Sequence, residues 1–315
     1  MSFSNRVKNE AAKVKIDRSC CVIAELAGFV RMNGHITLRQ GGPEIRFVTE
    51  NASVARRIFT FIKRFYSDDV SAYVSKNSAL KKNNNYNIVL EDVNQGKVLL
   101  YDTGFITNDN YFSPNYELPK EIYRSTCCKR AYIRGSFLGG GSVTNPERGY
   151  HLEMILKNEA HYKGMIDVMS HFGLKPGMTM RKESPILYFK EADQISDFLA
   201  VIDANKGVLD FENIRVVKDM RNHVNRLVNC ETANLEKTVK ASVRQVENIK
   251  LIEEVIGLKN LPPELEEVAR LRLANMEASF KTLGQMANPP VGKSGINHRF
   301  KKIEEIANNL RSVEK

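Results

Sequence analysis

Side chains that suit nucleic-acid binding are concentrated near the end of the chain, between residues 293 and 302. This decapeptide contains four Lys or Arg residues and no acidic one. Lys and Arg bind phosphate oxygens, and polar side chains such as Asn hydrogen-bond to base edges in the major groove of DNA. Ile296, Phe300, Ile303 and Ile306 recur in the same stretch at helical spacing. The pattern predicts an amphipathic helix with one apolar face and one polar, basic face.

The polar side chains of this helix divide into two groups of expected contacts. The residues that point away from the apolar face are expected to contact base edges and phosphates. They are Lys293, Ser294, Asn297, His298 and Lys301. Arg299 and Lys302 lie nearer the flanks and suit phosphates. A solvated amphipathic helix with no nucleic-acid ligand is the alternative interpretation.

Two shorter helices are predicted before the basic helix. The pair Pro262-Pro263 begins the first, and Ser279 is a typical N-cap residue for the second. A turn at 288–292, Asn-Pro-Pro-Val-Gly, separates the second from the basic helix. Three short helices with a basic last one predict a helix-turn-helix over about 278–310. Its first helix adds three expected DNA contacts, Ser279, Lys281 and Thr282.

A stretch near the start of the chain occurs twice, as CCVIAELAGFVRMNGHITL at 20–38 and CCKRAYIRGSFLGGGSVTN at 127–145. Aligned without a gap, the copies share an adjacent Cys pair and the same positions of one Ala and two Gly. This agreement indicates an internal duplication.

Small residues four apart on each repeated helix predict close packing of the two copies. They are Ala24 and Gly28 in the first helix and Ala131, Gly135 and Gly139 in the second. Glycine inside a helix costs up to about 1 kcal/mol relative to Ala. Close approach of another backbone offsets that cost, so these faces are expected to meet about a pseudo-two-fold axis. Glycines with no such role are the alternative.

Residues 26–34, LAGFVRMNG, resemble the LAGLIDADG motif of homing endonucleases, and 133–141 resemble a degenerate second copy. In that family the two motif helices form the interface between repeats, and the acidic residue before the last Gly binds divalent metal ions. This sequence has Asn33 and Gly140 at those positions. The resemblance therefore implies the fold without its metal chemistry, and no catalytic residue, metal or cofactor is expected.

The segments after each repeated helix follow one order, hairpin, helix, hairpin, helix. The expected fold class is an α+β N-terminal domain of two pseudo-symmetric LAGLIDADG-type αββαββα repeats, followed by an all-α helix-turn-helix domain. Two helices, at 213–230 and 233–256, are predicted between them. The expected domains are a first repeat at 1–118, a second at 119–204, a helical connector at 205–258 and the helix-turn-helix at 259–315.

Basic residues also occur on the predicted strands and turns, which in homing endonucleases form a saddle that holds DNA. Phosphate contacts and a merely solvated basic face are equally good interpretations of them. These saddle residues are Arg39, Arg46, Lys76, Lys81, Lys82, Lys157, Arg181, Lys182 and Lys190.

Composition sets the remaining expectations. The chain has 315 residues and a formal net charge of +10, which favours a polyanionic partner. No apolar run is long enough to span a bilayer and the N-terminus does not resemble a signal peptide, so a cytoplasmic, nucleoid-associated protein without membrane contact is expected. The cysteine pairs lack the spacing of zinc knuckles. Buried thiols are favoured there over a metal or redox site.

The whole arrangement resembles the WhiA family of bacterial sporulation and cell-division regulators. The most specific stretches are 130–143, 150–153, 219–235 and 293–299. The resemblance implies sequence-selective binding of double-stranded DNA by the last module, with roles in transcription, cell division and chromosome segregation.

Two other functions stay open. One is a metal-dependent DNA endonuclease whose site is rebuilt around Glu25, Glu147 and Glu153. The other is a scaffold in which the LAGLIDADG-like domain binds a protein partner through its former DNA saddle.

Overall fold

The computed structural model describes residues 1–39, 42–76, 84–107 and 114–313. Two predicted saddle residues, Lys81 and Lys82, lie outside the described residues. The chain divides into two compact units, residues 1–218 and 219–315.

The first unit contains both repeats, and each has the predicted order of helices and hairpins. The first repeat comprises α1 Phe3–Ala11, α2 Ser19–Asn33, β1 Gly34–Arg39, β2 Gly42–Thr49, α3 Ala52–Phe65, β3 Val70–Lys76, β4 Asn84–Leu90 and α4 Val93–Asp102. The second comprises α5 Thr126–Gly140, β5 Gly141–Val143, β6 Leu152–Ile155, α6 Glu159–Ser170, β7 Gly177–Arg181, β8 Ser184–Phe189 and α7 Ala192–Val201. The predicted α+β fold class is confirmed.

Each repeat has one four-stranded antiparallel sheet, and the two sheets share one topology. The strand orders are β1-β2-β4-β3 and β5-β6-β8-β7. Successive side chains of a strand point to opposite faces. Ile45 and Phe47 of β2 accordingly face the core, as do Leu152 and Met154 of β6, and all four are fully buried.

Helices α2 and α5 pack against each other through their small residues. A Cβ added at Gly28 would lie 2.6 Å from the Ser136 amide nitrogen, and one at Gly135 would lie 2.1 Å from the Glu25 carbonyl oxygen. Ala24 and Ala131 are fully buried. At Gly139 an added Cβ would lie 3.0 Å from the Met32 Cβ. The backbones therefore approach more closely than side chains with a Cβ at positions 28 and 135 would allow.

One helix, α8 Asn205–Val255, replaces the two that the sequence predicts at 213–230 and 233–256. The sequence between those predictions, Glu231-Thr232, contains no Gly or Pro that would end a helix. The carboxylate of Glu10 accepts hydrogen bonds from the first-turn amides of Lys206 and Gly207, at 2.7 and 3.0 Å. An acidic side chain thus caps the α8 N-terminus.

The second unit has a separate hydrophobic core. Its helices are the later part of α8, α9 Pro263–Ala274, α10 Phe280–Met286 and α11 Lys293–Val313. The buried side chains include Ile252 of α8, Val268 of α9, Leu283 of α10, and Ile296 and Phe300 of α11. The predicted helix starts at Pro263 and after Ser279 are confirmed. Among the described residues, no helix combines the length and apolar character needed to cross a membrane.

Candidate nucleic-acid interface

The turn before α11 is packed tightly against α10. The Ser279 hydroxyl accepts a hydrogen bond from the Thr282 amide at 3.2 Å and so caps α10. The Val291 amide donates to the Gly284 carbonyl at 2.8 Å. A Cβ at position 284 would lie 2.0 Å from the Val291 carbonyl oxygen, so this approach requires glycine. The turn thereby fixes where α11 begins.

A buried arginine of α9 holds the segment that leads into α10. The Arg272 guanidinium donates to the carbonyls of Asn275, Met276 and Ala278, the last at 2.7 Å. It also lies over the rings of Phe280 and Phe300, which are stacked at 5.3 Å. Burial lowers the pKa of Arg272 from its usual value.

The structure corrects the expected orientation of Arg299. Its side chain is only 14% exposed and lies 3.8 Å from Glu264 and 3.5 Å from Glu267, both on α9. Glu267 also accepts a hydrogen bond from the Asn288 amide in the turn, at 2.7 Å. Because two carboxylates of α9 lie beside Arg299, we assign this side chain to orienting α11 against α9 and not to binding a DNA phosphate.

The other predicted residues of α11 are exposed to solvent. Along the outer face, opposite Ile296 and Ile303, lie four side chains, those of Ser294, His298, Lys301 and Lys302. From α10, Lys281 is exposed, while Thr282 is half-buried. No acidic side chain occurs on α11 before Glu304.

Lys293 and Asn297 lie on the flank of α11 that faces α8. Lys293 lines a cleft of about 290 Å³ together with Ser279 and with Lys237 of α8. Asn297 lines a second, of about 230 Å³, with Arg244 of α8. Arg244 forms an ion pair with Glu304 at 2.9 Å. Sequence reasoning missed the two α8 residues. The signal was available, because both are basic and lie seven residues apart on one helix.

The saddle residues of the first sheet are partly neutralised. Arg39 and Arg46 both pair with Glu44, at 3.0 and 3.3 Å. Burial, followed by the nearby Lys157 and Arg46, lowers the pKa of His35. The remaining described saddle residues all have exposed side chains. They are Lys76, Lys157, Arg181, Lys182 and Lys190.

Asn33 and Gly140 are the positions at which the LAGLIDADG resemblance implies metal-binding acids, and the Asn33 side chain makes hydrogen bonds within the protein. Its side-chain amide donates to the carbonyls of Val48 at 2.8 Å and Gly139 at 3.3 Å. A carboxylate cannot donate these bonds. The added Cβ at Gly140 would meet the Met32 side chain at 2.5 Å. Asn33 therefore joins β2 to α5 at the foot of the paired helices.

The acids of the alternative endonuclease site are not brought together. Glu25 is fully buried and accepts hydrogen bonds from Arg57 and from Arg134, the latter at 3.0 Å. Glu147 is exposed and bonded to Asn145. Glu153 lies on β6, 3.2 Å from His151. In the described part of the chain, the group of three or more His, Cys, Asp or Glu that could share a metal ion consists of cysteines.

This group is Cys20, Cys21 and Cys128, three of the four cysteines in the repeated pairs at the N-terminal ends of α2 and α5. The fourth, Cys127, is in contact with Cys21. Cys21 and Cys128 are buried as expected, but Cys20 is exposed and Cys127 half-buried. A hydrogen bond from Ser125, followed by one from Cys21, lowers the pKa of Cys127 to about 7. Burial raises the pKa of Cys21 and of Cys128. Duplication was the missed signal, because a two-fold axis through the repeat helices also brings their ends together.

Comparison with protein-family models gives three matches along the chain. The WhiA N-terminal LAGLIDADG-like domain matches residues 19–106, the WhiA LAGLIDADG-like domain residues 129–221 and the WhiA C-terminal HTH domain residues 224–307.

Curated relatives match over nearly the whole length. The "Probable cell division protein WhiA" of Alkaliphilus metalliredigens is 46% identical over 315 residues, covering 99% of both chains. That of Natranaerobius thermophilus is 44% identical, covering 99% of this chain and 97% of its own. The crystal structure of full-length DUF199/WhiA from Thermatoga maritima, 28% identical, covers 98% of this chain and 99% of its own at a TM-score of 0.56. This chain belongs to the WhiA family.

Proposed function

We propose that the protein is a non-catalytic, sequence-selective DNA-binding regulator that reads DNA with α11 of the module at 259–315. The observation that carries the proposal is the outer face of α11. Its first three turns expose Ser294, His298, Lys301 and Lys302 while the opposite face is anchored in the core. A helix with this division can enter the major groove, which is wide enough to admit it.

The surroundings of α11 support the same function. Ser279, the N-cap of α10, lines a cleft with Lys293 at the N-terminal end of α11, and Lys281 is exposed in the first turn of α10. In such a motif the first helix crosses the DNA backbone. Lys237 and Arg244 of α8 extend the basic surface on the Lys293 flank. We assign Ser279, Lys281 and Lys237 to phosphate contacts, whereas Arg244 is paired with Glu304. Asn297 and Lys301, which have the side chains that pair with adenine and guanine edges, are assigned to base contacts.

The test is DNA binding by the full chain and by a triple variant, Lys293→Ala, Asn297→Ala and Lys301→Ala. Genomic fragments that the wild type selects supply the specific site, and a shuffled fragment supplies the non-specific one. Each well-made base contact contributes about 1–3 kcal/mol of discrimination. The ratio of specific to non-specific affinity is therefore expected to fall at least about tenfold.

A matched control removes the same residue types elsewhere in the second unit, by Lys250→Ala, Lys259→Ala and Asn309→Ala, all of which are exposed. This variant is expected to retain the specificity ratio. Unchanged specificity in the α11 variant would overturn the assignment of α11 as the reading helix.

We also propose that the protein has no nuclease activity, although its first unit has a homing-endonuclease-type fold. Support comes from Asn33 and Gly140 at the former metal positions and from the two arginines that occupy Glu25. Plasmid DNA incubated with the purified chain and Mg²⁺ or Mn²⁺ is expected to stay supercoiled. Nicking activity that copurifies with the wild type but not with a Glu153→Gln variant would instead support a metal-dependent DNA endonuclease.

The names of the curated relatives suggest the process that is regulated. They are called probable cell division proteins, and we propose that this chain acts in cell division. The family resemblance extends this proposal to transcription during sporulation and to chromosome segregation. Binding at the nucleoid follows from the proposed DNA partner. A chromosomal occupancy map should then show discrete peaks that disappear in the α11 triple variant.

A further inference from the structure

Four cysteines from the two repeats meet at the N-terminal ends of α2 and α5. Cys21 is in hydrogen-bonding contact with Cys127, and Cys128 with Cys20, so each contact joins one repeat to the other. The Sγ atoms of Cys20, Cys21 and Cys128 all lie within 4.8 Å of one another. Adjacent cysteines on a single helix would not produce this cluster. It arises from the packing of the duplicated helices.

We propose that Cys20, Cys21, Cys127 and Cys128 bind one thiophilic divalent cation of the Zn²⁺ class, which joins the two repeats. Zinc takes four thiolate ligands in a tetrahedron with Zn–S distances of about 2.3 Å, which places the sulfur atoms about 3.8 Å apart. The Sγ atoms of Cys20, Cys21 and Cys128 need only small movements to reach that spacing, and Cys127, in contact with Cys21, is the fourth ligand. Each ligating thiol releases its proton to solvent as the metal–sulfur bond forms.

Several groups around the cluster can stabilise the negative charge that sulfur ligands acquire when they bind a metal ion. The cluster lies at the positive ends of two fifteen-residue helices. At α2 no side chain caps the N-terminus, and the amides of Cys21 and Val22 donate to the Arg18 carbonyl. Arg18 Nη1 lies 3.9 Å from Cys127 Sγ, and Ser125 Oγ lies 3.1 Å from the same sulfur. These groups offset the net negative charge that four thiolates and one divalent cation would have.

A metal ion fits the cluster better than a pair of disulfides. Two disulfides would require the removal of four electrons by an oxidant, whereas metal binding requires only the loss of protons. Three sulfur atoms that lie within 4.8 Å of one another cannot all belong to one disulfide, but all three can bind the same metal ion. Cys20 is exposed and Cys127 half-buried, which gives the ion a path from solvent.

The test is a titration of the reduced full-length chain with Co²⁺, which reports tetrahedral thiolate coordination through sulfur-to-metal charge-transfer and visible absorption bands. We expect one Co²⁺ per chain, displaced by Zn²⁺, and a rise in Tm when Zn²⁺ is present. The Cys20→Ser and Cys128→Ser double variant should lose the bands and the Tm response. The matched control is Cys230→Ser, which removes an exposed cysteine of α8 outside the cluster and should retain both.

A single Cys20→Ser variant guards against misfolding, because that side chain is exposed and its loss leaves the core intact. Its circular dichroism should match the wild type while its Co²⁺ affinity falls at least tenfold. Three outcomes would overturn the proposal. They are absence of the bands in the wild type, equal bands in the double variant, and disulfide-linked cysteines that form in air from protein that took up no metal.

Discussion

At the residue scale, the first unit keeps buried charges in place by surrounding them with partners from distant parts of the chain. Arg31 is fully buried, and it donates to the carbonyls of Thr103 and Gly104 at 2.9 and 3.0 Å. Glu25 is held by Arg57 of α3 and Arg134 of α5, and Arg134 also bonds to Asp203. A buried charge that loses its partner is costly, so these residues determine how the helices assemble.

Replacing Glu25 with Gln should destabilise the protein strongly. The substitution keeps the size of the side chain but leaves two buried arginines without their shared anion, and such losses cost about 3–5 kcal/mol. Urea unfolding followed by circular dichroism measures the change. Glu147→Gln, at an exposed acid, is the control and should change the free energy of unfolding by less than about 0.5 kcal/mol. Equal stability of the two variants would show that the buried cluster contributes little.

His161 should make stability depend on pH. Its burial, followed by the nearby Arg31 and Lys157, lowers its pKa to about 3, and its Nε2 lies 3.3 Å from the Tyr132 hydroxyl. Above pH 6.5 the imidazole is neutral in both folded and unfolded chains. Between pH 6.5 and 3 only the unfolded chain gains the proton, so the free energy of unfolding falls as the pH falls, by up to about 1.4 kcal/mol per unit.

The measurement is urea unfolding at several pH values between 7.5 and 4 for the wild type and His161→Gln. Below pH 6.5 the free energy of unfolding should fall more steeply with falling pH for the wild type than for His161→Gln. This holds whatever the difference in stability between the two proteins at pH 7.5. His298→Gln, at an exposed histidine of α11, should follow the wild type. A common slope for all three proteins would mean that His161 gains its proton without unfolding.

At the element scale, the contact of α2 with α5 depends on glycines that an extra methyl group would disturb. Gly135→Ala should cost several kcal/mol, because its Cβ would lie 2.1 Å from the Glu25 carbonyl oxygen and the helices would have to separate. Gly164→Ala is the matched control inside α6. Its nearest contact would be 3.7 Å away, so it should stabilise the chain by about 0.5–1 kcal/mol. Thermal unfolding of both variants distinguishes the two effects, and similar Tm values would contradict the close packing.

Sequence periodicity predicted the elements better than it predicted their partners. The order of helices and strands in both repeats followed from local patterns, since apolar spacing and capping residues act within a few positions. The continuity of α8 was missed, although Glu231-Thr232 contains no Gly or Pro that would separate two helices. The environment of Arg299 was also missed, since Glu264 and Glu267 lie more than thirty residues earlier in the sequence. The four-cysteine cluster likewise depends on packing between repeats.

At the scale of the whole molecule, the net charge of +10 is distributed unevenly. The first sheet sets Glu44 against Arg39 and Arg46, whereas the first three turns of α11 have no acid. Counterion release makes the logarithm of DNA affinity fall linearly with the logarithm of salt concentration, by about 0.9 for each phosphate contacted. The slope of this line therefore measures how many phosphates the whole protein contacts. Variants in each unit show which unit makes those contacts.

We predict that the second unit accounts for that slope. Lys281→Ala with Lys302→Ala should reduce its magnitude by about two, because two phosphate contacts are lost. Lys157→Ala with Lys190→Ala, which removes two exposed charges near the sheet of the second repeat, should leave it unchanged. Affinities of the full chain for one selected fragment at four salt concentrations give both values. A slope reduced by the saddle pair instead would mean that the LAGLIDADG-like unit still holds the duplex, and α11 would then share the reading of DNA with a second surface.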